Sequence, residues 1–272
     1  MTKIRLIPVV FIRNGSVVQS KGFHRYQRIG LPVAVTRRLS DWASDELVVL
    51  DITREGRNDI GRDDLNAPNP QDTLGVLEQV AEQCFMPLTF GGGIRTLDDV
   101  RARLRRGADK ITLNTLALED PDSINAAART FGSQCVVVSV DVREDPELGW
   151  RVFSESGRAA TGWSATAWAR ECARRGAGEL LVNSIDRDGK SCGYDTQLLG
   201  DVVGAVDVPV VALGGVGKWD DLVDGVTKGG ASAVAAGNIF HYSENSVYNA
   251  KRHLFEAGID VREPELRTEW GE

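Results

Sequence analysis

The chain has 272 residues, 42% hydrophobic and 26% charged, with a formal net charge of −7 at pH 7. Such a chain can bury a substantial core, as one large barrel or as two ordinary domains, and its acidic excess disfavours non-specific nucleic-acid binding while leaving room for local phosphate-binding spots. No apolar run reaches the roughly 18 residues of a membrane span, and Met1 to Leu6 lacks a signal-peptide layout, so a soluble cytoplasmic protein is expected.

Strand-like runs alternate with amphipathic segments along the whole length, the pattern of a parallel sheet with helical crossovers. The strands fall at Arg5 to Val10, Leu47 to Asp51, Leu88 to Phe90, Lys110 to Leu113, Cys135 to Asp141, Glu179 to Asn183, Val208 to Leu213 and Ala233 to Ala236. Helices are predicted near 34–43, 73–83, 97–106, 120–130, 165–175, 194–205, 219–228 and 245–257. Eight such units in this order predict a single α/β domain over 1–272, a (β/α)8 TIM barrel, with its site at the C-terminal ends of the strands. The charged tail 260–272 is expected to fray.

Three connections on the catalytic side exceed a tight turn: Phe11 to Pro32, Thr53 to Gln71 and Val142 to Trp163. The second, rich in Gly, Asn and Asp, reads as a mobile loop over 54–71, either a tolerated insertion or a lid or partner contact. The third contains a strand-like Trp150 to Phe153 followed by Ser156-Gly157-Arg158, which predicts a short hairpin.

The two halves of the chain repeat each other. Glu46 to Gly56 parallels Glu179 to Gly189, Phe90 to Ile94 parallels Leu213 to Gly217, and Gly107 to Thr115 parallels Gly230 to Asn238. In each half the Gly-rich end of one strand and the small-residue end of the next converge, where backbone N–H groups can close on an anion. The first phosphate cradle is expected at Gly92, Gly93, Asn114 and Thr115, and the second at Gly189, Gly214, Gly215, Ala236 and Gly237. Two cradles across one mouth suggest a ligand with a phosphate at each end. The four cysteines (Cys84, Cys135, Cys172, Cys192) show no ligand spacing and read as reduced structural thiols. No metal or cofactor is expected.

Phe90-Gly-Gly-Gly-Ile94, Phe131-Gly-Ser-Gln-Cys-Val-Val-Val138, Arg175-Gly-Ala-Gly-Glu179, Ser184-Ile-Asp-Arg-Asp-Gly189 and Gly193-Tyr-Asp195 together resemble the cyclase subunit of imidazole glycerol phosphate synthase over Arg5 to about Arg262. The resemblance implies a barrel that receives ammonia at its N-terminal face from a glutaminase subunit and delivers it to a bisphosphate held by the two cradles. Two aspartates, after the first and fifth strands, then perform the acid–base work of histidine synthesis. Asp141 matches the second, whereas Phe11 stands at the first, and Gln19 stands where that family usually carries lysine. A phenyl ring cannot shuttle a proton, and losing one member of such a pair typically costs ~10²–10⁴ in rate. The family's charged ring at the ammonia entrance is matched by Arg5, Glu46, Lys110 and Glu179, and its partner face by Asp109.

Arg5 to Val10, Thr53 to Arg57, Glu82 to Pro87 and Gly230 to Gly237 resemble more closely the paralogues linked to acetamidino modification of surface-polysaccharide sugars. There the barrel and its glutaminase supply ammonia to a separate sugar amidotransferase. The resemblance therefore implies an ammonia-channelling barrel subunit of a glutamine-dependent amidotransferase, of the lyase or cyclase type, acting on a phosphate-containing acceptor. A true cyclase and a non-catalytic scaffold that activates the glutaminase are the alternatives. Asp51 is either a ligand contact or a cap for the loop after it, Asp188 matches a substrate-side carboxylate, and Asp186 reads as structural. His24, His241 and His253 stand at no strand end and read as non-catalytic, and Trp42, Trp163, Trp168 and Trp219 as packing residues.

Overall fold

The structure, a computed structural model, describes residues 3–42, 44–53, 72–241 and 246–264. Strand β1 (Arg5–Arg13) runs three residues beyond its expected end, turns, and returns as β2 (Ser16–Lys21) and β3 (Arg25–Gly30) before α1 (Pro32–Asp41). Asn14 and Gly15 make the turn at φ values of 50° and 74°, a left-handed pair that Asn and Gly tolerate and that matches strand twist. This hairpin was legible as Asn-Gly between apolar residues, yet the connection reads as an undivided long loop when only its length is weighed.

The chain continues through β4 (Leu47–Asp51), α2 (Thr73–Ala81), β5 (Leu88–Gly91), α3 (Leu97–Arg105), β6 (Lys110–Leu113), the short α4 (Thr115–Glu119) and α5 (Asp122–Phe131). The second half runs through β7 (Val136–Asp145), β8 (Gly149–Ser154), β9 (Ala159–Ser164), α6 (Ala165–Arg174), β10 (Glu179–Ser184), α7 (Thr196–Val203), β11 (Val210–Leu213), α8 (Trp219–Thr227), β12 (Ala233–Ala236) and α9 (Val247–Glu256). Helix starts carry side-chain caps: Asp72 accepts from the Gly75 amide, Ser164 from Ala167 and Asp195 from Leu198, while Thr96 and Asp99 form a reciprocal capping box.

Among the described residues, eight parallel strands pair in the order β1-β4-β5-β6-β7-β10-β11-β12 and close back on β1. The predicted TIM barrel is therefore present. Period-two alternation divides its strands into two faces. Leu6, Val10, Val49, Phe90, Val138, Val182 and Val234 face the helices, while Ile7, Val9, Val48, Val137, Leu181, Val211 and Ala235 form a separate cluster inside the barrel.

The halves repeat in an unexpected way: β1 and β7, the first strands of each half, both extend into antiparallel hairpins, β2–β3 and β8–β9. The hairpin expected around Trp150 to Phe153 is β8–β9. The tail expected to fray from Asp260 is tied at its start, because Ile4 donates to the Asp260 carbonyl at 2.8 Å and bridges to buried Val261. A main-chain pairing with the N-terminus overrides the charged composition there. The segment 54–71 lies outside the described residues, as do the last eight, 265–272. No helix among the described residues is long and apolar enough to cross a membrane.

Candidate functional site

Phe11 and Asp141 occupy equivalent places. Each is the residue at which a barrel strand begins to pair with its hairpin, Phe11 with Val18 and Asp141 with Phe153. Each also pairs in parallel with the next barrel strand, Phe11 with Leu50 and Asp141 with Asn183. Both are buried and line one cavity of about 500 Å³ at the mouth. Asp141 accepts from the Ser139 hydroxyl at 3.0 Å. Burial pushes its carboxyl up to about 6, against the opposing hydrogen bonds of Ser139 and Asn183 and with help from the charge of Asp188. A carboxyl poised there can hold or release a proton near neutral pH. The Phe11 ring can do neither, and it packs 3.4 Å from where a Cβ on Gly237 would stand.

Gly92, Gly93, Asn114 and Thr115, expected as the first cradle, all line this same cavity, with Asp51 beside them. Gly92 has φ +106°, and a Cβ on it would lie 2.0 Å from the Asp51 carbonyl oxygen, so only glycine fits the close crossing of β4 and β5. The Asn114 amide donates to the carbonyls of Ser139 and Phe153, and Thr115 Oγ1 accepts from the Glu155 amide, so these side chains hold the β8–β9 hairpin against the mouth. Asp51 accepts from the Thr53 amide at 2.9 Å and the Thr73 hydroxyl at 2.6 Å, which makes it a cap for the following loop as well as a wall of the cavity.

A second cavity lies near the residues expected to form the second cradle. A cavity of about 480 Å³ lies between the β2–β3 hairpin and the ends of β11 and β12, lined by Gln19, Ser20, Lys21, Arg25, Gly189, Gly217 and Asn238 among others. Of the five residues expected, Gly189 lines it, whereas Gly214, Gly215, Ala236 and Gly237 do not. Their small size is required by close packing. A Cβ on Gly214 would lie 2.8 Å from the Ser184 carbonyl and one on Gly215 2.2 Å from the Gly193 carbonyl, while Ala236 belongs to the helix-side core. The lining falls one or two residues later, at Val216, Gly217 and Asn238. Asp188, expected on the substrate side, lines neither cavity. It accepts from the Ser20 hydroxyl at 2.7 Å and the Phe23 amide at 3.4 Å and so fastens the β2–β3 hairpin over this end. Burial raises its pKa, and these hydrogen bonds oppose the shift.

At the opposite, N-terminal face the four predicted charges come together as a closed ring. Arg5 bonds Glu46 at 2.7 Å and also Glu179, and Lys110 bonds Glu46 at 2.8 Å and Glu179 at 3.2 Å. Thr89 adds a hydroxyl donor to Glu46 at 2.9 Å. The carboxylates are nearly buried at 4% and 9% exposure, while the Arg5 and Lys110 side chains remain 27% and 22% exposed. Burial opposes the Arg5 charge, but the bonds and charges of Glu179 and Glu46 outweigh it and raise its pKa. Asp109 is exposed beside this ring, its carboxylate accepting from the Leu88 amide at 2.8 Å.

Asp186 accepts from the Glu144 amide, a structural tie, and none of the three histidines lines either cavity. Trp168 is fully buried against Trp163, and Trp219 stacks on Phe240. Residues that motif spacing does not single out also line the first cavity: Ser139 and Asn183 beside Asp141, and Arg95, Arg103 and Arg158 around the first cradle. For Arg103 a signal existed, an arginine on the apolar face of α3 three residues after Val100. The family model described as Histidine biosynthesis protein matches residues 5–246. With that match spanning nearly the whole barrel, the chain belongs to the histidine biosynthesis protein family.

Proposed function

We propose that this barrel is the ammonia-channelling subunit of a glutamine-dependent amidotransferase, delivering ammonia to a phosphate-containing acceptor in sugar acetamidino formation. The observation that carries this reading is the ring of Arg5, Glu46, Lys110 and Glu179 on the barrel floor, together with Phe11 facing Asp141 at the mouth. A four-charge ring is a costly way to close a barrel that apolar side chains could close at least as well. Its partly exposed cations are placed to meet a partner, and the apolar interior above, Val48, Val137, Leu181 and Ala235, admits neutral ammonia far more readily than ammonium. A glutaminase docked on this face next to Asp109, and a separate sugar amidotransferase taking the product, complete the scheme.

Asp141 also favours a second reading. A carboxyl held near 6 suits proton transfer, so cyclisation in histidine synthesis remains the runner-up, with another group replacing the carboxylate that Phe11 lacks. Two measurements separate them. A glutaminase subunit from the same organism should co-purify with it at roughly micromolar concentrations and turn over glutamine faster in the complex; no association at that level sinks the first reading. Unmutated protein given saturating ammonium and the histidine-pathway bisphosphate should form imidazole glycerol phosphate near background, whereas turnover of about 1 s⁻¹ or more puts the cyclase first.

A further inference from the structure

Two cations are buried among the described residues, and they are treated differently by the fold. Lys251 is paired with Asp45 at 2.6 Å. Arg103, 4% exposed on α3, makes no direct ion pair among the described residues: it donates from Nη2 to the Gly92 carbonyl at 2.7 Å and from Nη1 to the Asp99 carbonyl at 3.0 Å. Its Nε is buried with no hydrogen-bond partner. Two carbonyl dipoles do not neutralise a guanidinium, and burial lowers its pKa, outweighing the charges of Asp99 and Asp51 that favour the protonated form, so the buried charge is only partly compensated.

The guanidinium lies behind the Gly92–Gly93 bend and lines the first cavity. A Cβ on Gly93 would stand 3.5 Å from Nη2, so the cation lies directly against the glycine bend as well as on the cavity wall. Backbone N–H groups at such a bend already attract an anion, and a fixed positive charge directly behind them adds a field that water in the narrow mouth screens poorly.

We propose that Arg103 supplies the counter-charge for a phosphate monoester bound at Gly92, Gly93, Asn114 and Thr115, so that this cavity, rather than the second one beside the β2–β3 hairpin, holds the tighter phosphate. The proposal rests on the phosphate-acceptor reading above and adds the residue that sets anion affinity. Arg103 keeps the bend in place as well, so binding must be read separately from folding.

The test is a titration of the whole protein with inorganic phosphate at constant ionic strength, followed by NMR at the Gly93 and Gly217 amides, one for each cavity, and at the Arg103 Nε–H. In the unmutated protein phosphate should shift Gly93 and the Arg103 Nε–H together. Arg103→Met, which fills the same space without charge, should weaken phosphate at least about 10-fold at Gly93 and leave Gly217 unchanged, while Arg103→Lys should retain part of the affinity. Equal phosphate affinity at Gly93 in Arg103→Met and unmutated protein would overturn the role of Arg103 and leave the phosphate reading standing. No shift at Gly93 in the unmutated protein would overturn both. The Nε–H measurement needs no variant, and its failure to move while Gly93 saturates also overturns the proposal.

Discussion

Residue chemistry at the mouth depends on what surrounds Asp141 more than on its identity. An aspartate at a barrel strand end is an ordinary acid until burial between β7 and β10 raises its pKa from 3.8 to about 6. Because the folded state then binds the proton more tightly than the unfolded chain, Asp141 contributes stability that is full below about pH 4 and lost as pH rises through about 6. The whole shift corresponds to on the order of 3 kcal/mol. Asp141→Asn, which is neutral throughout, should therefore melt roughly 5 °C above the unmutated protein at pH 8, with the gain disappearing by about pH 4. Thermal melts at the two pH values check this, and equal melting temperatures at pH 8 would mean that the carboxylate is adequately solvated. Any reaction in which Asp141 is the base should rise with pH through the same window.

At the scale of elements, the β2–β3 hairpin is paired to β1 at its base and fastened at its far end by a small set of hydrogen bonds. Asp188 receives Ser20 and Phe23 through its side chain and Gly22 through its carbonyl, and Asn238 holds the Ser20 carbonyl at 2.7 Å. Val17 and Val18 bury its first strand, but the second strand is mostly exposed, so the far side of the hairpin leans on these contacts. Asp188→Ala removes two of the ties, each worth ~1 kcal/mol or somewhat more with a charged acceptor. Trypsin cleavage at Lys21, Arg25 or Arg28 under native conditions should then accelerate about 10-fold, since local opening limits access. Unchanged cleavage with a lowered melting temperature would place the role of Asp188 in the barrel rather than in the hairpin.

On the scale of the whole molecule, the floor ring couples four strands from both halves, since Arg5, Glu46, Lys110 and Glu179 come from β1, the approach to β4, β6 and β10. Removing one partner from a fully buried pair costs about 3–5 kcal/mol, and the partial exposure of Arg5 and Lys110 should reduce that to roughly 1–3 kcal/mol for Lys110→Met. The double variant Lys110→Met, Glu179→Met keeps the Arg5–Glu46 pair and should recover most of the loss. Urea midpoints for the three proteins form the check. Additive losses in the double variant would show that the four charges act independently and that no ring exists in solution.

The alternation of strand and helix patterns determined the barrel and most of its boundaries, because a period of two or 3.6 is written locally and each element's buried face repeats it. The same local pattern located the Gly92–Gly93 bend, where the requirement for positive φ and a close crossing falls on the residues that carry it. The Asn14-Gly15 turn was equally legible. Other features depended on residues far apart in the chain. Whether Gly214 and Gly215 face a ligand or a neighbouring carbonyl depends on Ser184 and Gly193, and whether Asp188 faces substrate or clamps a hairpin depends on Ser20 and Phe23. The closure of four charges into a ring, the raised pKa of Asp141 and the unpaired guanidinium of Arg103 are likewise decided by the tertiary structure, because burial and counter-ions belong to the space around a residue and not to its neighbours in sequence.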